Sequence, residues 1–193
     1  MQKMLAQAFL GHSLTSRRLA LETAAVVAAY WLMATAANAL FSSWGIMPMP
    51  ISFPAGLALI FAVLRGWQSA PGIFIGTIVA NVSAFGAPIA YAMCVGLANC
   101  MGAIAGGLIV RQYIMRKNTK FGFAGVLFCF FVTLVIPPVI SASGGMSCKW
   151  LLGLIPYGQF AIGWMKWVIA HTTGILLVGL PVLAWLAIKE AGR

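Results

Sequence analysis

Residues 51–81, ISFPAGLALIFAVLRGWQSAPGIFIGTIVAN, set two apolar segments back to back and punctuate them at Pro54-Ala55-Gly56, Gly66 and Pro71-Gly72. Runs of this kind, repeated along a chain, describe a polytopic membrane protein with a patterned core. The composition agrees. With 62% apolar residues, 7% charged residues and a mean hydropathy of +1.00, a water-solvated fold of 193 residues is excluded. That length leaves room for one membrane domain and none for an appended soluble catalytic domain.

Apolar stretches able to cross a hydrocarbon core of about 30 Å lie near 19–43, 46–65, 70–86, 88–112, 121–144 and 157–188. The expected fold is therefore an all-α integral membrane bundle of about six transmembrane helices. The 70–86 span is short, and the last is long enough to need tilt or interfacial ends.

The basic residues sort these spans by side. Lys3, Arg17 and Arg18 precede the first span, Arg65 follows the second, and Arg111, Arg116, Lys117 and Lys120 follow the fourth, with Lys189 and Arg193 after the sixth. All of these fall on one face of a six-span arrangement. Lys149 alone falls on the other, and Lys166 lies within the last span. By the positive-inside rule both termini are cytoplasmic. The expected organisation is a cytoplasmic segment 1–18, a membrane domain 19–188 and a cytoplasmic end 189–193. Arg17-Arg18 before an apolar run and Ala37-Asn38-Ala39 also has the outline of a signal peptide, but the run exceeds the usual 7–15 residue apolar region.

The same distribution explains the net charge of +10 without nucleic acid. The charges are dispersed among connections rather than gathered on one soluble face, and the 111–120 loop is suited to anionic headgroups. Acidic chemistry is nearly absent: Glu22 and Glu190 are the only carboxylates and there is no Asp. Carboxylate pairs, magnesium sites of the nucleotide-hydrolase kind and Ser-His-Asp triads within the chain are thereby excluded, and the protein is expected not to be an enzyme. Cys94, Cys100, Cys129 and Cys148 lack CxxC spacing and read as packing residues. Met47, Met49, Met146 and Cys148 are soft donors too weakly patterned to define a metal site. No cofactor is indicated.

Two proline clusters mark irregular backbone. Pro48, Pro50 and Pro54 prevent a regular helix at the external entrance to the second span. Pro137-Pro138 interrupts the fifth span roughly 24 Å above its cytoplasmic start. Ser141, Ser143, Gly144 and Gly145 follow it. Non-helical backbone at membrane depth needs a protein or wet-cavity surround, so both segments are expected to wall one external pocket. In the sixth span Trp164, Trp167, His171, Gly174, Val178, Pro181 and Trp185 recur at three- and four-residue spacing, and so share a helical face. His171 would stand roughly 27 Å above Lys189, at the level of the proline segments. An ionisable residue at that depth is a site candidate. Asn38, Asn81 and Asn99 each require a partner on another helix, and Gly102 and Gly106 allow a close helix approach. The candidate ligand-binding residues are Pro54, Gly56, Asn81, Asn99, Ser141, Trp164, Trp167 and His171.

The punctuation resembles the first family of bacterial membrane-associated sensor domains (MASE1-type), which precede histidine kinases and diguanylate cyclases. That family's approximate signature runs WPPAGLAL, WPGIFLGAFLAN, a Gly-Asn segment and WWLGDxLGVLLVxPLLLAW. Here these correspond to Ser52–Leu59, Ala70–Asn81, Gly96–Asn99 and Trp167–Val178 with Pro181 and Trp185. The order and approximate spacing hold from about residue 20 to 187. The tryptophans of the first two motifs are Ser52 and Ala70 here, and the acidic position of the last is His171. The resemblance implies a sensory module of the bacterial inner membrane, with the lipid bilayer, a cytoplasmic kinase- or cyclase-type effector or an output domain of its own, a small-molecule ligand and a second copy as the partners to test. Such domains also look like the substrate-binding membrane subunits of vitamin transporters, which is the alternative reading.

Overall fold

The computed structural model describes residues 16–115 and 123–191. Helix α1 spans Ser16–Ser43 and α2 spans Phe53–Arg65. A 3-10 turn, Gly66–Ser69, leads to α3, Ala70–Phe85. Helix α4 is Ile89–Met115 and α5 is Phe123–Leu151. After a short 3-10 turn, α6 (Phe160–Gly174) passes through a π-helical turn (Ile175–Gly179) into α7 (Leu180–Ala191). No strand occurs among the described residues. The basic positions Lys3, Arg116, Lys117, Lys120 and Arg193 lie outside them.

The punctuation around α2 has local causes. Pro54 sits in the first turn, where a missing N–H costs nothing. The helix stops at Gly66, whose φ of 58° and ψ of −133° are open to glycine and closed to residues with a Cβ. Arg111 of α4 donates through Nη1 to the terminal carbonyls of Val63 and Leu64 at 3.2 and 2.5 Å. A guanidinium there also complements the negative end of the helix.

Counted by length and apolarity, five stretches among the described residues can cross a membrane, and the second is Phe53–Phe85. Its two halves run in opposite directions. Ala62 lies against Gly107 and Leu64 against Arg111, which makes α2 parallel to α4. Gly96 faces Phe74 and Ile78 and Cys100 reaches the Ala70 carbonyl, which makes α3 antiparallel to α4. Along α1 the pairs Val26–Gly72 and Tyr30–Gly76 run parallel to α3. At 13 residues, α2 reaches only about 20 Å. The expected span 46–65 is thus helical only in its second half, because the prolines force residues 44–52 to enter the bundle as irregular chain. The Ser52 amide ties that segment to the Ala170 carbonyl at 2.8 Å.

The expected break at Pro137-Pro138 does not occur; α5 is helical from Phe123 to Leu151, through both prolines. It also runs past residue 144, so most of the expected 145–156 connection is helix. Pro138 cannot donate to Leu134, four residues earlier, and the Thr172 hydroxyl of α6 bonds that carbonyl instead at 3.2 Å. Gly102 and Gly106 of α4 receive the bulge: a Cβ on the second would meet Pro137 Cγ at 2.5 Å. Prolines are tolerated in membrane helices where a neighbour restores the lost bond.

The expected stripe on the last span also changes course. His171 and Gly174 are buried, but Pro181 and Trp185 are exposed. The π turn inserts a residue into the helical register, so burial continues through Ile175, Gly179 and the half-buried Leu183. One apolar core joins α1, α3 and α4 through Val26, Tyr30, Ile73 and Ile104. A second joins α2, α5 and the π turn through Leu59, Val63, Val132 and Ile175. Large apolar side chains such as Phe123 and Phe131 remain outside, as a lipid-facing surface requires.

Candidate functional site

A directional hydrogen-bond chain crosses five helices at mid-depth. Trp167 Nε1 donates to Ser141 Oγ at 3.1 Å, and Ser141 Oγ donates to Asn99 Oδ1. Asn99 Nδ2 donates to the Tyr30 hydroxyl at 3.1 Å, which also bonds the Thr77 side chain. Thr77 Oγ1 ends the chain on the Ile73 carbonyl at 2.8 Å. Asn99, Ser141 and Thr77 are buried polar residues, and a chain in which each group both gives and accepts removes the penalty of burying them.

The histidine joins the same chain. His171 Nε2 lies 3.0 Å from Ser141 Oγ. A backbone hydrogen bond to Trp167, one turn earlier, holds the other side of the buried ring. The Trp167 and His171 rings stack, with centroids 5.9 Å apart and planes inclined by 30°.

Above this layer lies a cavity of about 730 Å³, within the usual range for small-molecule sites. Its walls include Pro48, Met49 and Ser52 of the irregular segment, Tyr91 and Asn99 of α4, Met146 and Lys149 of α5, and Lys166, Trp167 and His171 of α6. Gly86, Pro88 and Gln159 also border it, so it lies toward the end of the bundle carrying the α3–α4 and α5–α6 connections.

Of the sequence candidates, Pro54, Asn81, Asn99, Trp167 and His171 line this cavity. Ser141 supports its floor through the chain above. Trp164 is outside the lining and donates to Ser143 Oγ at 3.0 Å. Gly56 is a packing residue: a Cβ there would meet Gly174 O at 2.5 Å and Gly179 N at 2.8 Å. The anticipated wall at 137–145 is replaced by Met146 and Lys149, one and four residues beyond it along the uninterrupted α5. Asn38 finds its partner on another helix, the Ala84 carbonyl at 2.9 Å. Asn81 instead bonds Thr77 O of its own helix at 2.9 Å.

Sequence reasoning did not bring Tyr30, Tyr91, Lys149 and Lys166 to the site. The available signal was a lone basic residue on the face that the positive-inside rule leaves uncharged. Among the described residues no group of three or more His, Cys, Asp or Glu side chains could hold a metal ion.

A family model described as MASE1 matches residues 19–188. No curated protein and no solved structure matches the chain. Membrane-length apolar helices, lipid-facing side chains and the family match over nearly the whole sequence agree: the chain belongs to the MASE1 family of membrane-associated sensory domains and is a multi-pass integral membrane protein.

Proposed function

We propose that the protein is a non-catalytic, ligand-binding sensory module of the bacterial inner membrane that couples occupancy of the cavity to the orientation of its last helix. The observation that carries this reading is the attachment of the cavity wall to that helix. Ser52, on the irregular segment, bonds Ala170, and Gly56 packs on Gly174 and Gly179, immediately before and at the end of the π turn. His171 belongs to the same turn of helix. A ligand that shifts the 44–52 wall or the His171 ring therefore acts directly on the segment where α6 passes into α7. Such turns are frequent at functional sites, and a ligand can shift the turn to a second packing only by as much as its affinities for the two packings differ.

In this reading the chain makes six passes, with α2 and its irregular lead-in counted as the second. Both termini are cytoplasmic, the cavity opens outward, and α7 delivers the signal to a kinase- or cyclase-type effector. The directions of α2, α3 and α4 and the basic-residue distribution support it.

The test measures spin-label distances between the ends of α1 and α7 in nanodiscs while small-molecule libraries are screened, alongside uptake into proteoliposomes. A ligand that changes the distance without accumulating in the lumen supports a sensor. Accumulation that requires a partner ATPase, without a distance change, identifies a transporter subunit instead.

A further inference from the structure

Two lysines define the mouth of the cavity, and among the described residues neither has a carboxylate to pair with. Lys149 and Lys166 both line it. The only ion pairs among the described residues join Arg18 and Arg65 to Glu22, which stands near the opposite end of α1. With no Asp and only two Glu in the chain, the cavity wall contains two cations and no anion. Lys149 is half-buried and held 5.6 Å from the Tyr91 ring centroid, a cation–π contact that fixes its position without neutralising it. Below the lysines the wall is apolar, with Met49, Ile51, Val95 and Met146. At its floor lie the stacked Trp167 and His171 rings.

Building on the sensory reading, we infer that the cavity takes an amphiphilic organic anion: a carboxylate or phosphate between Lys149 and Lys166, and an apolar body reaching down to the Trp167–His171 floor. Lys166 is five residues from His171 and Lys149 is eight from Ser141, on regular helices. The anionic head and the floor are therefore separated by roughly 8–12 Å along the bundle axis. The head matches charges the protein leaves unpaired and the body matches the apolar wall, whereas a cation would meet repulsion at the mouth and a fully apolar ligand would leave both lysines without a counter-charge.

The test uses the full chain in phosphatidylcholine nanodiscs, with quenching of tryptophan fluorescence and thermal stabilisation as readouts. The probes are ω-hydroxydecanoate, decanoate, decanol and decyltrimethylammonium. Both carboxylates are expected to bind more tightly than decanol, with the cationic amphiphile weakest. The double variant Lys149→Gln, Lys166→Gln should weaken both carboxylates by about tenfold and leave decanol unchanged.

Adding phosphatidylglycerol to the nanodisc separates the sources. Competition assigns a membrane lipid, lack of competition assigns a soluble anion, and both keep the inferred chemistry. Equal binding of decanol and decanoate, each abolished by Trp167→Ala, would overturn the anionic class and leave the cavity as the ligand site. Binding of every probe unaffected by Trp167→Ala would overturn the cavity reading itself.

Discussion

Gly56→Ala tests the close seam on which the coupling depends. Its new Cβ would stand 2.5 Å from Gly174 O, 2.8 Å from Gly179 N and 2.8 Å from Val178 Cβ. Two of these three neighbours are backbone, so no side-chain rotation relieves the overlap. Restoring ordinary contact requires α2 and the π turn to part by about 0.9 Å, and close-packed interiors transmit such a shift rather than absorb it. Overpacking of this kind costs about 1–3 kcal/mol. Alanine recovers about 0.5–1 kcal/mol in a helix interior, which leaves a net loss of about 1 kcal/mol at the middle of both ranges and about 2.5 kcal/mol at most. For a chain of this size, thermal unfolding should fall by about 2–4 °C at the middle value and by about 10 °C at most. Gly158→Ala is the control, since nothing lies within 4 Å of its added Cβ, and it should stay within about 0.5 kcal/mol of the parent. The assay is unfolding in nanodiscs, with stabilisation by ω-hydroxydecanoate measured on the same samples. Gly56→Ala should reduce that stabilisation, because Ser52 and Pro54 move with α2. A variant that unfolds with the parent and is stabilised equally would refute the seam.

Thr172→Val should destabilise the parent by about 1 kcal/mol by leaving the Leu134 carbonyl without its donor. In a Pro138→Ala background, where residue 138 supplies that N–H, the same change should cost markedly less, and a double-mutant cycle measures the difference. Asn99→Leu removes both the acceptor for Ser141 and the donor to Tyr30; a loss of about 1–3 kcal/mol in unfolding free energy is expected, partly restored by Tyr30→Phe. Cys94 and Cys148 interact across the α4–α5 seam, so mild treatment with a thiol oxidant should join them, as a peptide-mapped disulfide, in preference to any pair involving Cys129.

The irregular 44–52 lead-in was legible because its cause is local: prolines without N–H groups cannot continue a helix wherever they fall. The same rule misled at Pro137-Pro138, where the missing bond is replaced by Thr172 from a helix far away in sequence. His171 and Asn99 stood out as polar residues inside apolar runs, and the structure brings them together through Ser141. Lys149 and Lys166 are ordinary interfacial lysines in sequence, and only packing sets both on one cavity wall.

The sequence by itself determined the solvent, the helical class, the family and the residues that must seek partners. The family follows from the resemblance of its motifs, and the rest from composition or from the spacing of apolar, basic and proline residues along one segment. Tertiary structure alone decided that the doubled proline stays helical and that the π turn rotates the last stripe. It also decided which polar groups meet. The physical reason is that a hydrogen bond, a close glycine contact or a cavity wall depends on the register between helices, and residues as distant as Tyr30, Asn99, Ser141 and His171 acquire that register only when the bundle packs.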